Sequence, residues 1–228
     1  MRTTVVLWDI DGTLIRSGGA GKSAMESALR SAFGIRDIFD TVAYSGRTDV
    51  AIARDLLAAH ALPTSEENQL LLRETYLREL PGFLQTAVGE ILPGIPELLR
   101  ELGGRTDVVQ GLLTGNVRRG ARVKLGHFGL WDHFGPGGFG DRFTDRDDVA
   151  REALASVEAH LNGKPAPSDI WVIGDTPHDV SCGRAIGASV MAVATGWHTL
   201  AQLEACDADA TFADLGETGR VLERLGIR

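Results

Sequence analysis

Residues Val5 to Ser23 read VVLWDIDGTLIRSGGAGKS, and this stretch decides the architecture. Val5 to Trp8 is a short apolar run rich in β-favouring residues that ends in Asp9, Ile10, Asp11, Gly12 and Thr13, so it reads as a buried strand meeting a turn. Two carboxylates two residues apart on a strand point to the same side of the sheet. In an open parallel sheet, ligands bind at the carboxyl ends of the strands. Like charges held that close need a divalent cation or a shared proton. The acids therefore predict a metal, or separate acid and base roles. The tail of the stretch, GAGKS, also resembles the end of a phosphate-cradling loop of pattern GxxxxGK[ST]. The first glycine of that pattern falls on position 16, which is Arg16, and the polar segment IRSGGA separates strand from lysine. The segment therefore reads instead as a glycine hinge, Gly18, Gly19 and Gly21, leading into a helix.

Downstream of the hinge the sequence turns helical for about seventy residues. KSAMESALRSAFG carries apolar residues at helical spacing and stops at Gly34. TDVAIARDLLAAHAL starts at a capping Thr48 and ends before Pro63, and SEENQLLLRETYLREL is stopped or kinked by Pro81. Beyond Pro93 and Gly94, helix and strand alternate: IPELLREL, VVQGLLTGN, RGARVKLGHFG, DVAREALASVEAHL, DIWVIGD, DVSCGRAIG and SVMAVATG. Such alternation predicts a parallel sheet with helices on both faces. The expected fold is α/β, a Rossmann-like parallel sheet formed by residues 1–17 and 91–228, interrupted by an α-helical cap over 18–90.

The strand ends extend the pattern. VVQGLLTGN closes on Thr114, Gly115 and Asn116, a hydroxyl and backbone N–H groups just before a helix N-terminus, which favours an anion. DIWVIGD closes on Gly174 and Asp175, followed by Thr176 and Asp179. A third acid at the same sheet edge can complete a hard, oxygen-rich Mg²⁺ site.

On these segments the chain resembles the haloacid dehalogenase-like hydrolase superfamily, in its phosphoglycolate phosphatase-like branch. DIDGTL matches the first motif, LLTGN the second and GDTPHD the fourth, and the helical insertion sits where that branch carries its cap. The resemblance implies a Mg²⁺-dependent phosphatase acting on a small phosphomonoester, phosphoglycolate-like or a sugar phosphate. Asp9 would be the nucleophile that forms an aspartyl-phosphate, and Asp11 would protonate the leaving oxygen and later activate water. It implies Mg²⁺ held by Asp9, Asp175 and the backbone carbonyl of Asp11, with Asp179 in support. Thr114 and the amides around Gly115 and Asn116 would hold phosphoryl oxygens, beside Gly12 and Thr13. The second acid, Asp11, separates this pattern from dehalogenases. A phosphonate hydrolase would need a cap lysine, and Lys22 is the only lysine in the insertion.

The family's third motif is a lysine, usually in KP. This chain has Lys164 and Pro165, but they follow a helix of about 14 residues that spans roughly 21 Å and carries the chain to the opposite sheet edge. The cation is expected instead from FGDRFTDRDDVA, with Arg146 first because it directly precedes the helix, Arg142 second, and Lys164 as the remaining alternative. SGRTD, Ser45 to Asp49, matches a segment that faces the site in this branch; Arg47 either touches an anionic substrate end or lies in solvent while Thr48 caps its helix. His178 and His198 lie near site loops and read as structural or solvent-facing.

Composition narrows the remaining classes. A net charge of −8 argues against nucleic acid, and Arg118, Arg119 and Arg122 read as a solvated helix face. No run approaches the roughly 18 apolar residues of a membrane span, and MRTTVVLWD enters a strand with no signal-peptide core, so a cytoplasmic location is expected. Cys182 and Cys206 lack metal-ligand spacing and are expected to be free thiols. The rival functions are a phosphomutase of the same fold and a catalytically weak binding or regulatory module. Oligomeric state has no signature in the sequence.

Overall fold

A computed structural model describes residues 3–39 and 41–227. Strand β1, Thr4–Trp8, is the centre of a six-stranded sheet in which every neighbouring pair is parallel. Its apolar residues alternate between two cores. Val6 and Trp8 face one side, packed with Leu98, Leu99 and Leu102 of α4 (Ile95–Gly103), Leu125 of α5 (Arg118–His127) and Val221 of α9 (Thr218–Arg224). Val5 and Leu7 face the other, against Val149, Ala153 and Val157 of α6 (Arg146–Leu161), Val180 of α7 (Pro177–Ala185) and Leu203 of α8 (Leu200–Glu204). A strand buried on both faces has no polar alternation, which is why the run reads as continuously apolar.

The sheet order is β5-β4-β1-β6-β7-β8, where β4 is Val108–Leu113, β5 Gly137–Gly138, β6 Ile170–Gly174, β7 Ser189–Val193 and β8 Ala210–Phe212. From β1 the chain builds outward on one side through β4 and β5, then crosses to β6 on the other. The topological switch therefore falls between β1 and β6, where such sheets form their binding crevice. Asp9 follows β1, Asp175 follows β6, and the Asp9 N–H donates to the Ile173 carbonyl at 2.9 Å.

Between β2 (Ile15–Arg16) and β3 (Glu90–Ile91), an antiparallel pair, lie α1 (Ala20–Phe33), α2 (Asp49–Ala59) and α3 (Glu66–Thr86). They share a core of their own that includes Leu29, Leu56, Leu57, Leu72, Tyr76 and Leu80, joined by Val117 from the chain before α5. Thr48 and Ser65 cap α2 and α3 as N-cap acceptors, and Gly34 closes α1 in the left-handed conformation.

One local expectation needs correction, and the disfavoured reading of GAGKS falls away. Pro81 does not stop α3, which runs on to Thr86; the proline is exposed and removes one backbone bond, while buried Leu77, Leu80 and Leu84 hold the helix on either side. GAGKS is not a phosphate loop, because α1 begins at Ala20 and takes Gly21, Lys22 and Ser23 into its first turns. Among the described residues, no helix is long and apolar enough to cross a membrane. Arg118, Arg119 and Arg122 are solvent-exposed, and both cysteines are free thiols.

Candidate active site

The carboxyl ends of β1, β4 and β6 open into one cavity of about 620 Å³ between the sheet and the helical insertion. Asp9 is 5 % exposed, Asp175 2 % and Asp179 0 %. Oxygens of these three carboxylates lie within 4.8 Å of one another. The close approach depends on Gly12, whose φ of +87° belongs to the left-handed region and whose missing side chain leaves room for Asp175; a Cβ there would stand 2.5 Å from a carboxylate oxygen. The Thr13 hydroxyl faces the Asp175 carboxylate at 3.4 Å, a weak contact.

Three acids in so dry a space perturb one another. Burial above all, with the charges of Asp179 and Asp11 added, pushes Asp9 up to about 7 against the pull of Arg146. Burial likewise raises Asp175, to about 9, helped by the charges of Asp179, Asp9 and Asp11. A buried oxygen-donor set of this kind fits a hard divalent cation, which would replace protons and relieve the repulsion.

Arg146, 5 % exposed, answers part of that charge. Its guanidinium lies 3.6 Å from Asp9 and hydrogen-bonds Asp179 directly. The other Asp179 oxygen accepts from the Thr176 N–H at 3.0 Å and hydroxyl at 2.8 Å, closing a capping box on α7. Arg142 and Lys164, the alternatives for the cation, do not reach this cluster. Arg142 is exposed and paired with Glu152 at 2.5 Å, and the Lys164 side chain is 84 % accessible, 3.8 Å from Glu158. The register explains the difference: α6 starts at Arg146, on the active edge, and Lys164 lies beyond its far end.

A second polar cluster fills the β4 side. Thr114 is fully buried, and its hydroxyl oxygen accepts from the Asn116 side-chain amide at 2.9 Å and from the Asn116 backbone N–H at 3.3 Å. The Asn116 amide also donates to Asp11 at 3.0 Å, while its oxygen accepts from Lys124 at 2.7 Å. Lys124, 4 % exposed, donates to the same Asp11 oxygen at 2.6 Å, and Ser17 donates to the other at 3.2 Å. Burial, the largest single influence, would raise Asp11, but the Lys124 ammonium and the bonds from Lys124, Asn116 and Ser17 together hold this carboxyl below its ordinary range. Sequence reasoning passed over Lys124. Its signal was a lysine in the apolar stripe of α5, one residue before Leu125 and three after Ala121.

The insertion contributes the cavity's other wall. Arg47 lines it, with its guanidinium bonded to Asp55 at 2.6 Å and to the Ala43 carbonyl at 3.2 Å. The backbone there is pressed against the β4 loop: a Cβ on Gly115 would lie 2.1 Å from the Arg47 carbonyl oxygen. The Asp49 N–H donates to the Gly115 carbonyl, and the Asp49 carboxylate accepts from the Val117 N–H, each at 2.8 Å. Burial raises Asp49 to about 6, against the pull of Lys124 and the Val117 bond. Lys22 also lines the cavity, 5.5 Å from the centre of the Tyr44 ring. His178 is exposed.

Known proteins resemble this chain in family and in fold. Residues 6–184 match the family model of the haloacid dehalogenase-like hydrolases. A protein of Dickeya dadantii described as probable phosphatase IndB is 26 % identical over 97 % of this chain and 95 % of its own length. Among solved structures, a β-phosphoglucomutase from Clostridium difficile superposes with a TM-score of 0.73 at 16 % identity, covering 99 % of this chain and 98 % of that one. A predicted phosphoglycolate phosphatase from Haemophilus somnus gives 0.68 at 15 % identity, over 97 % and 98 % of the two chains.

Proposed function

The chain belongs to the haloacid dehalogenase-like hydrolase family, and from that premise we propose that it is a Mg²⁺-dependent phosphatase that hydrolyses a small phosphomonoester through an aspartyl-phosphate. The observation that carries this reading is the convergence of Asp9, Asp175 and Arg146 at the switch between β1 and β6, facing one cavity, with Asp179 buried against Arg146.

In this reading Asp9 attacks phosphorus, the bond to the leaving oxygen breaks, and Asp11, an ionised carboxylate in the free site, relays to that oxygen the proton that the monoanionic ester brings with it. Water, deprotonated by Asp11, then attacks the phosphoryl group on Asp9 and regenerates the carboxylate. Covalent capture divides one difficult displacement into two easier ones. Asp9, Asp175 and the Asp11 backbone carbonyl would hold Mg²⁺, with Asp179 supporting from the Arg146 side. When bound, the ion supplies positive charge against the transferring oxygens. Arg146 adds a fixed cation beside the nucleophile. Thr114, with the backbone of Gly115 and Asn116 and the turn at Gly12 and Thr13, cradles the phosphoryl oxygens, while Arg47 faces the remainder of the substrate. The helices of residues 18–90 act as a cap that keeps water from the reacting atoms.

The test is phosphate release from a panel of phosphomonoesters, with and without Mg²⁺, for the native chain and Asp9→Asn. Mg²⁺-dependent release that disappears in Asp9→Asn is expected. Activity surviving that change rejects the mechanism, isomerisation of a sugar phosphate without phosphate release identifies a phosphomutase, and inactivity on every ester leaves a binding module.

A further inference from the structure

Lys124 carries a role that neither the family motifs nor the cluster around Arg146 requires. It comes from the middle of α5, eight positions beyond Asn116, and its side chain is 6 % accessible. A buried lysine is retained at a desolvation cost unless its partners are well arranged. Here the ammonium donates to two acceptors of the site, Asp11 at 2.6 Å and the Asn116 oxygen at 2.7 Å. Asn116 closes the triangle by donating to the same Asp11 oxygen at 3.0 Å, and anchors it to Thr114 at 2.9 Å. From above, α1 lays its backbone over the ammonium, since a Cβ on Gly21 would lie 3.1 Å from Nζ. The Asp11 side chain, by contrast, is 38 % accessible and opens into the cavity. An accessible carboxylate on a rotatable side chain needs external contacts to keep one orientation, and Lys124 on its helix supplies the charged one, beside those from Asn116 and Ser17.

We propose that Lys124 is a positioning residue that fixes the direction of the Asp11 carboxyl towards the leaving oxygen. This rests on the reading of Asp11 as the acid of the first step. There a proton that Asp11 takes from the monoanionic phosphoryl group moves on to the ester oxygen as the P–O bond breaks, the electron pair of that bond stays on the oxygen, and Asp11 is left as the carboxylate it was. A misdirected Asp11 slows that transfer only where the leaving group needs the proton.

The experiment compares kcat/KM, which reports phosphoryl transfer to the enzyme, for p-nitrophenyl phosphate and for glycerol 3-phosphate or the best alkyl ester of the panel. p-Nitrophenolate leaves without protonation and an alkoxide does not. Lys124→Met is expected to lower kcat/KM on the alkyl ester on the order of 10²-fold, the scale of general acid catalysis, and on p-nitrophenyl phosphate by less than about threefold. In an Asp11→Asn background the same change should have no further effect on either ester, because the group it orients is gone. Equal losses on both esters, or a further loss in the Asp11→Asn background, overturn the proposal. Should Lys124→Met fail to fold, Lys124→Arg preserves the charge while displacing its donors, and must show the same bias against the alkyl ester. A native chain inactive on both esters defeats the phosphatase reading itself and takes this role with it; native activity with an unbiased variant defeats the role alone.

Discussion

Replacing Arg146 with Met keeps most of the stem and removes the charge. The guanidinium lies between two carboxylates, with side-chain accessibilities of 5 % for Arg146, 8 % for Asp9 and 1 % for Asp179. Burial this complete means that water cannot substitute for the lost partner. Breaking a buried ion pair on one side costs about 3–5 kcal/mol, because the remaining charge stays desolvated. For a chain of this size each kcal/mol moves the melting temperature by about 2–4 °C, so Arg146→Met should melt roughly 6–20 °C below the native protein at pH 7.5 without metal. Arg146→Lys, which retains a charge with fewer donors, should fall between the two. Turnover should drop on the order of 10²- to 10³-fold in Arg146→Met, the usual consequence of removing one fixed charge-stabilising group. Calorimetric melts and phosphate release on the same samples give both quantities. A variant that melts within about 2 °C of the native protein and keeps near-normal turnover would refute the assignment of Arg146 to the nucleophile.

Four further outcomes follow from the geometry. Lys164→Ala, at an exposed site, should leave turnover and melting temperature unchanged; a large loss of activity would place the cation elsewhere. Asp9 and Asp175 have folded-state values of about 7 and about 9, above the ordinary carboxyl range, so their contribution to metal-free stability is present below about pH 4 and is lost as pH rises through those values. Mg²⁺ should accordingly raise the melting temperature more at pH 8 than at pH 5, and an equal rise at both counts against this site. Asp49, raised to about 6, follows the same sign: Asp49→Asn keeps an acceptor for Val117, so it should be neutral near pH 4 and stabilising at pH 7.5, read from denaturant melts at the two pH values. Gly115→Ala sets a methyl 2.1 Å from the Arg47 carbonyl oxygen, and should cost about 1–3 kcal/mol and most of the activity by pushing α2 off the β4 loop.

The legible part of the fold was the part with long apolar runs. β1, β4, β6 and β7 are each five or six residues, buried for most of their length, and bounded by turn residues. β5 was invisible because it consists of Gly137 and Gly138, residues with no strand preference. It exists through pairing with β4 and through its closeness to α6, where a Cβ on Gly138 would meet the Val149 carbonyl oxygen at 2.2 Å. β8 is only three residues, and its register is set by β7. In the candidate site, the acids were readable because they stand at strand ends, where side-chain direction follows from the backbone. Arg146 followed from the same logic, one helix start along the active edge. The bonds that join Lys124 to Asp11 and Asn116 form only in three dimensions, and spacing along the chain carries no record of which polar atoms share a hydrogen bond.

The β2–β3 pair, with Arg16 bonded to Glu90 across it, brings the chain into and out of the helical insertion at neighbouring points. Everything from Ser17 to Gly89 is therefore a covalent appendix on a two-rung stem, and the two cores flanking the six-stranded sheet contain no residue from it. Exchange of that appendix for another of different shape, or for a tight turn, would alter what the catalytic edge can admit while leaving the parallel sheet and its acids in register. A lineage built on this stem can diversify its substrates by swapping roofs.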